Sequence, residues 1–74
     1  MLTELKCIFD KRKSFYNKAL VEINGDNKKL YSYGTLVAEI QGNEFISYGK
    51  FTMTTTRHQR EFAKQNGFNF WLLN

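Results

Sequence analysis

Seventy-four residues, 42% hydrophobic and 24% charged, with one cysteine and no proline, suit one small domain over 1–74 and leave no room for a second. A lone Cys7 excludes an internal disulfide, and Cys7 with the single His58 is too small a set of soft ligands for a structural zinc site. The formal charge of +4 is concentrated: Lys6, Lys11, Arg12, Lys13 and Lys18 against Asp10 account for all of it, and the rest of the chain is neutral.

Nothing approaches the ~20 apolar residues that span a bilayer, and the opening Met-Leu-Thr-Glu-Leu-Lys does not read as a signal peptide. The basic run is too short for a polybasic membrane anchor, and no lipidation motif accompanies it. The expectation is a cytoplasmic protein with no membrane partner, no metal and no other cofactor. With little length to build a core, each of the twelve aromatic residues counts, and stability must come from packing, a partner or a homodimer.

In chain order, residues 1–13 form a helix or an arm. Leu2, Leu5, Ile8 and Phe9 suit two amphipathic turns over 2–10, and Cys7-Ile8-Phe9 equally suits an extended segment. Residues 14–53 read as an antiparallel sheet. From Phe15 to Ile23 the odd positions Phe15, Ala19, Val21 and Ile23 make an apolar face at period two. Asn24-Gly25 marks a hairpin turn. A second strand is expected from Lys28 or Leu30 to Gln41 with Gly34 as a mid-strand bulge, and Gln41-Gly42-Asn43 as the next turn. A third strand is expected over Glu44 to Met53.

Thr56 and Gln59 have the Thr-x-x-Gln spacing of a capping box, and Gly67 supplies a left-handed C′ position onto which Phe68 folds back. A helix is therefore expected at 56–67, with 57–66 helical. Residues 68–74 form an apolar tail that adds an edge strand or folds over the core. The fold class is α+β: a three- to four-stranded antiparallel meander packed on one C-terminal helix.

Two clusters are candidates for function. If the helix covers Leu30, Ser32, Gly34, Leu36, Ala38, Ile40, Phe45, Ser47, Gly49 and Phe51, the other sheet face carries Tyr16, Tyr31, Tyr33, Val37, Ile46 and Tyr48 with Lys18 and Lys50. Rings with cations between them suit stacked single-stranded bases. They also suit a covered face or a protein interface, and a bulge at Gly34 would exchange faces downstream. The second cluster is Thr56, Arg57, His58 and Arg60, where a helix start and two guanidiniums could hold a phosphate or carboxylate. His58, one turn before Phe62, reads as a buried histidine bonded to a neighbouring strand or tyrosine. The chain has no glycine-rich phosphate loop, paired carboxylates or nucleophile with an oriented base, so an enzyme is not expected.

Three blocks together resemble a known group: Lys13-Ser14-Phe15-Tyr16-Asn17-Lys18-Ala19, Leu30 to Val37 reading Leu-Tyr-Ser-Tyr-Gly-Thr-Leu-Val, and Thr55 to Phe62 reading Thr-Thr-Arg-His-Gln-Arg-Glu-Phe. The pattern is similar to that of small orphan proteins carried by phages, prophages and integrative elements of Gram-positive bacteria. In that group asparagine often stands at the position of Gly34 and an aliphatic residue at that of Gln59. The resemblance implies a mobile-element origin, and by analogy an anti-defence inhibitor of host machinery, anti-CRISPR proteins included. Two expectations follow. One is a stoichiometric inhibitor or adaptor docking on a nucleic-acid-handling host protein through Lys11, Arg12, Lys13, Lys18 and the tyrosine face. The other is direct binding of nucleic acid.

Overall fold

Short polar turns between alternating strands force neighbouring segments to pair antiparallel, and the chain folds as β1 (Leu2–Glu4), β2 (Ala19–Asn24), β3 (Asn27–Ser32), β4 (Thr35–Gln41), β5 (Glu44–Ser47) and α1 (Met53–Gln65). The computed structural model describes residues 1–10, 13–49 and 53–68. The strands form one five-stranded antiparallel sheet in sequence order, and α1 covers one face. The fold is α+β as expected, with five strands in place of three or four. Lys11, Arg12, Lys50, Phe51 and the tail beyond Phe68 lie outside the described residues.

The expected N-terminal helix is replaced by the extended alternative. Leu2, Thr3 and Glu4 pair with Glu22, Val21 and Leu20 on the edge of the sheet. The helical spacing misled because only Leu5 of that series is buried, whereas Leu2, Ile8 and Phe9 are largely exposed; a short helix with no buried stripe has nothing to hold it. The strand expected from Phe15 starts instead at Ala19. Phe15 to Lys18 make a tight turn in which Lys18 N–H donates to the Phe15 carbonyl at 2.9 Å, with Tyr16 (φ 51°) and Asn17 (φ 63°) both left-handed.

The expected second strand is two strands. Tyr33 (φ 51°) and Gly34 (φ 80°) form the two-residue loop of a hairpin closed by the Ser32–Thr35 pair, the backbone pattern of a type I′ turn. A two-residue turn puts Ser32 and Thr35 on the same face, which inverts the odd–even pattern. A β-bulge then restores it: Tyr31 pairs with Leu36 but Leu30 pairs with Ala38, so Val37 is an extra residue. Leu30, Ser32, Ala38 and Ile40 therefore do face the helix and are buried. Between the two irregularities the assignment reverses. Val37, expected on the open face, is buried in the core, and Leu36, expected beneath the helix, is half-buried opposite Tyr31.

β5 ends at Ser47, and Met53 already begins α1, so the helix starts earlier than the Thr56 cap implied. Thr56 is inside the helix, and Gln59 turns inward, donating to the Val37 carbonyl at 2.8 Å and to Ser47 Oγ at 3.2 Å. The exit is as expected. Gly67 (φ 82°) is left-handed, Phe68 N–H donates to the Ala63 carbonyl at 2.9 Å, and Gly67 N–H donates to that of Lys64 at 3.2 Å, the two bonds of a Schellman closure. Phe68 then packs on Phe45, with ring centroids 5.8 Å apart. Phe62 lies at the centre of a core of Leu5, Phe15, Val21, Leu30, Val37 and Ile40.

Candidate functional site

Residues 8–10 of the predicted basic segment are brought to α1 by one side chain. Glu61 is buried, 2% exposed, and a carboxylate withdrawn from water must be met by donors. It accepts from three consecutive backbone N–H groups: Ile8 at 3.0 Å, Phe9 at 3.1 Å and Asp10 at 2.7 Å. Gln65 Nε2 also donates to Glu61 and to the Lys6 carbonyl. Residues 6–10 are thus laced to the helix. Farther on, Ser14 Oγ and Asn17 N–H both donate to Glu4, which ties the return of the loop to β1.

The consequence is a composite surface. On α1, Met53, Arg57, Arg60 and Lys64 follow spacings of four, three and four and so form one row along a single side. Thr55, His58, Gln59 and Phe62 point the other way and are buried. The chain at Phe9 and Asp10 lies beside this row, and between them is a cleft of about 320 Å³ lined by Phe9, Asp10, Arg57, Arg60, Glu61 and Lys64. Asp10 Oδ1 is 3.5 Å from the Arg57 guanidinium. A second hollow, about 240 Å³, continues along the helix past Thr56 to Met53 and shares Arg57 and Arg60 with the first.

The predicted helix-start cluster therefore divides. Arg57 and Arg60 face outward, Thr56 is half-buried, and His58 turns into the core. His58 is 1% exposed. Its Nδ1 is 2.8 Å from Ser32 Oγ, which is 2.9 Å from Thr55 Oγ1, and the ring packs edge-on against Phe15 at 4.5 Å and beside Tyr33 at 5.8 Å. Burial among aromatic rings gives this Ser–His pair no access for a substrate, and its geometry is that of a bonded core histidine.

The predicted tyrosine face also divides. Tyr31 and Tyr48 lie on the uncovered sheet face with half-buried Leu20, Leu36 and Ile46. Tyr16 projects from the tight turn before β2, 70% exposed. Tyr33 sits at the β3–β4 turn against His58, with Lys18 Nζ 5.9 Å from its ring centre. Lys13 is exposed on the bend before that turn. Among the described residues the four tyrosines do not form one platform. On the open face, Gln41 Nε2 donates to Glu39 at 2.9 Å and Tyr48 Oη donates to it at 2.7 Å. These hydrogen bonds, with the nearby Lys29 charge, hold the Glu39 carboxyl below its ordinary range. The same bond to Glu39, aided by burial, raises the Tyr48 phenol above its own.

The interest of Glu61 could have been suspected from sequence, since it is the one acid among Arg57, Arg60 and Lys64. The three amides that it binds carry no side-chain signature, so its partner segment was not readable. Among the described residues no three His, Cys, Asp or Glu side chains converge as metal ligands, and no helix is long and apolar enough to cross a membrane.

A family model described as a family of unknown function, DUF8033, matches residues 3–70. The chain belongs to DUF8033. The match runs from β1 past the end of α1, so the sheet, the Glu61 tether and the outer helix row all fall within it. No curated protein and no solved structure matches this DUF8033 member.

Proposed function

We propose that this protein is a small non-enzymatic binding protein of mobile-element origin that acts in the cytoplasm as a stoichiometric inhibitor or adaptor. It docks by a basic surface on a host protein that handles nucleic acid, in the manner of an anti-defence factor. The observation that carries the reading is the Glu61 tether. By holding Ile8, Phe9 and Asp10 against α1, it sets the described start of the N-terminal segment beside the basic row Arg57, Arg60 and Lys64. Such a surface attracts and orients an acidic or phosphate-binding partner. Direct binding of single-stranded nucleic acid is the lesser reading, because the tyrosines that would stack bases are distributed over two separate regions.

The test is capture of partners from a Gram-positive host lysate with and without nuclease, by the unaltered protein and by the double variant Lys13→Glu with Lys18→Glu. A protein partner retained after nuclease and lost on charge reversal is the expected result. Loss of all capture after nuclease transfers the function to nucleic acid. Capture unaffected by reversal at low salt would leave that segment a solubilising loop.

A further inference from the structure

The two hollows on the outer side of α1 share Arg57 and Arg60, and together they form one trough. It runs beneath the row Met53–Arg57–Arg60–Lys64, a length of ~16 Å at ~1.5 Å per helical residue. Its cations are spaced along the middle. Its ends are apolar and exposed: Phe9 is 57% exposed at one and Met53 81% exposed at the other. From this juxtaposition we infer that the trough binds a short acidic peptide segment of the partner protein, about five extended residues at ~3.3 Å each, with carboxylates over Arg57, Arg60 and Lys64 and an apolar side chain against Phe9. The inference rests on the docking function proposed above and specifies the part of the partner that is gripped.

Charge and shape select this occupant. Guanidiniums match carboxylates in a two-pronged geometry, and an exposed aromatic ring beside them supplies the apolar anchor that peptide grooves use. A nucleic-acid strand fits less well. Asp10 and Glu61 line the same cleft, so a continuous phosphate chain would pass two carboxylates, whereas a peptide can turn its own N–H groups or apolar side chains toward them.

The test uses fluorescence anisotropy at low salt with three labelled probes: a decapeptide with three Glu residues flanked by Leu, the same peptide with Ser for Leu, and a ten-nucleotide oligothymidylate. The expected order of affinity is Leu–Glu peptide, Ser–Glu peptide, oligothymidylate. Lys64→Glu, an exposed position, should weaken both peptides at least about fivefold, and Arg60→Glu with Lys64→Glu should weaken them further. Phe9→Ser should weaken the Leu–Glu peptide at least about threefold and leave the Ser–Glu peptide unchanged, a pattern that plain charge attraction does not produce. Tightest binding by oligothymidylate, absence of peptide binding, or indifference of the Leu–Glu peptide to Phe9→Ser would each overturn the inference. If the trough variants still capture the lysate partner while Lys13→Glu with Lys18→Glu does not, the docking function stands and the peptide trough falls.

Discussion

At the scale of single residues, polar groups taken out of water set the strictest terms. Ser32 Oγ is shared by His58 and Thr55, so Ser32→Ala removes a bond from two side chains at once. It should destabilise the fold by roughly 1–3 kcal/mol, read as a lower urea midpoint with unchanged slope. Glu39 offers a pH test. Its carboxyl titrates below its ordinary value of 4.5 because Gln41 and Tyr48 bond the ionised form. A depressed native pKa means that the unfolded chain holds the proton more tightly, so this contribution to stability is full above pH 4.5 and is lost as pH falls through the native value. Tyr48→Phe should move the Glu39 titration upward in a carbon-detected NMR experiment and flatten that part of the acid limb. An unmoved titration would assign the depression to Gln41 and Lys29 alone.

At the scale of elements, the β2–β3 and β4–β5 hairpins and the helix end were legible because their signals are local: Gly25, Gly42 and Gly67 occupy the turns and the C′ position that their chemistry favours. Gly67→Val forces a branched side chain into the left-handed region and should cost roughly 1–2 kcal/mol, measured by thermal or chemical denaturation. The Tyr33-Gly34 turn was not legible. Tyrosine is an unusual first turn residue, and the turn and the Val37 bulge invert the alternation twice, so Leu30 to Ile40 imitates one uninterrupted strand. Register errors of this kind cancel at both ends and survive only in the middle, which is why Thr35, Leu36 and Val37 exchanged faces. The Glu61 tether lay beyond sequence reasoning for a different reason: main-chain amides of residues 8–10 look like those of any other residue. Glu61→Gln would set an amide donor against this N–H cluster. A loss of at least about 1.5–3 kcal/mol is expected, the range for a single charge-assisted bond, with faster hydrogen exchange at Ile8, Phe9 and Asp10. Slow exchange in that variant would show that other contacts hold the arm.

For the molecule as a whole, a net charge of +4 is modest, and its effect depends on where the fold gathers it. A partner that is protein should lose affinity gently with added salt, mostly through slower association. A single nucleic-acid strand should give a log–log slope near −0.7 for each phosphate contacted. One titration from low to physiological salt separates the two, and Arg60→Glu with Lys64→Glu should reduce the slope in either case. The charge imbalance in residues 6–18 was evident from composition, but the attachment of residues 8–10 to α1 required the tertiary structure. All five strands precede α1 in the chain, so the sheet face that α1 covers and the arm at Ile8, Phe9 and Asp10 both depend on the last element. Glu61 arrives with the same helix that shelters Leu30, Val37 and Ile40. Closing the core and tethering residues 8–10 are therefore tasks of one helix, and a change that loosens α1 releases the arm as well.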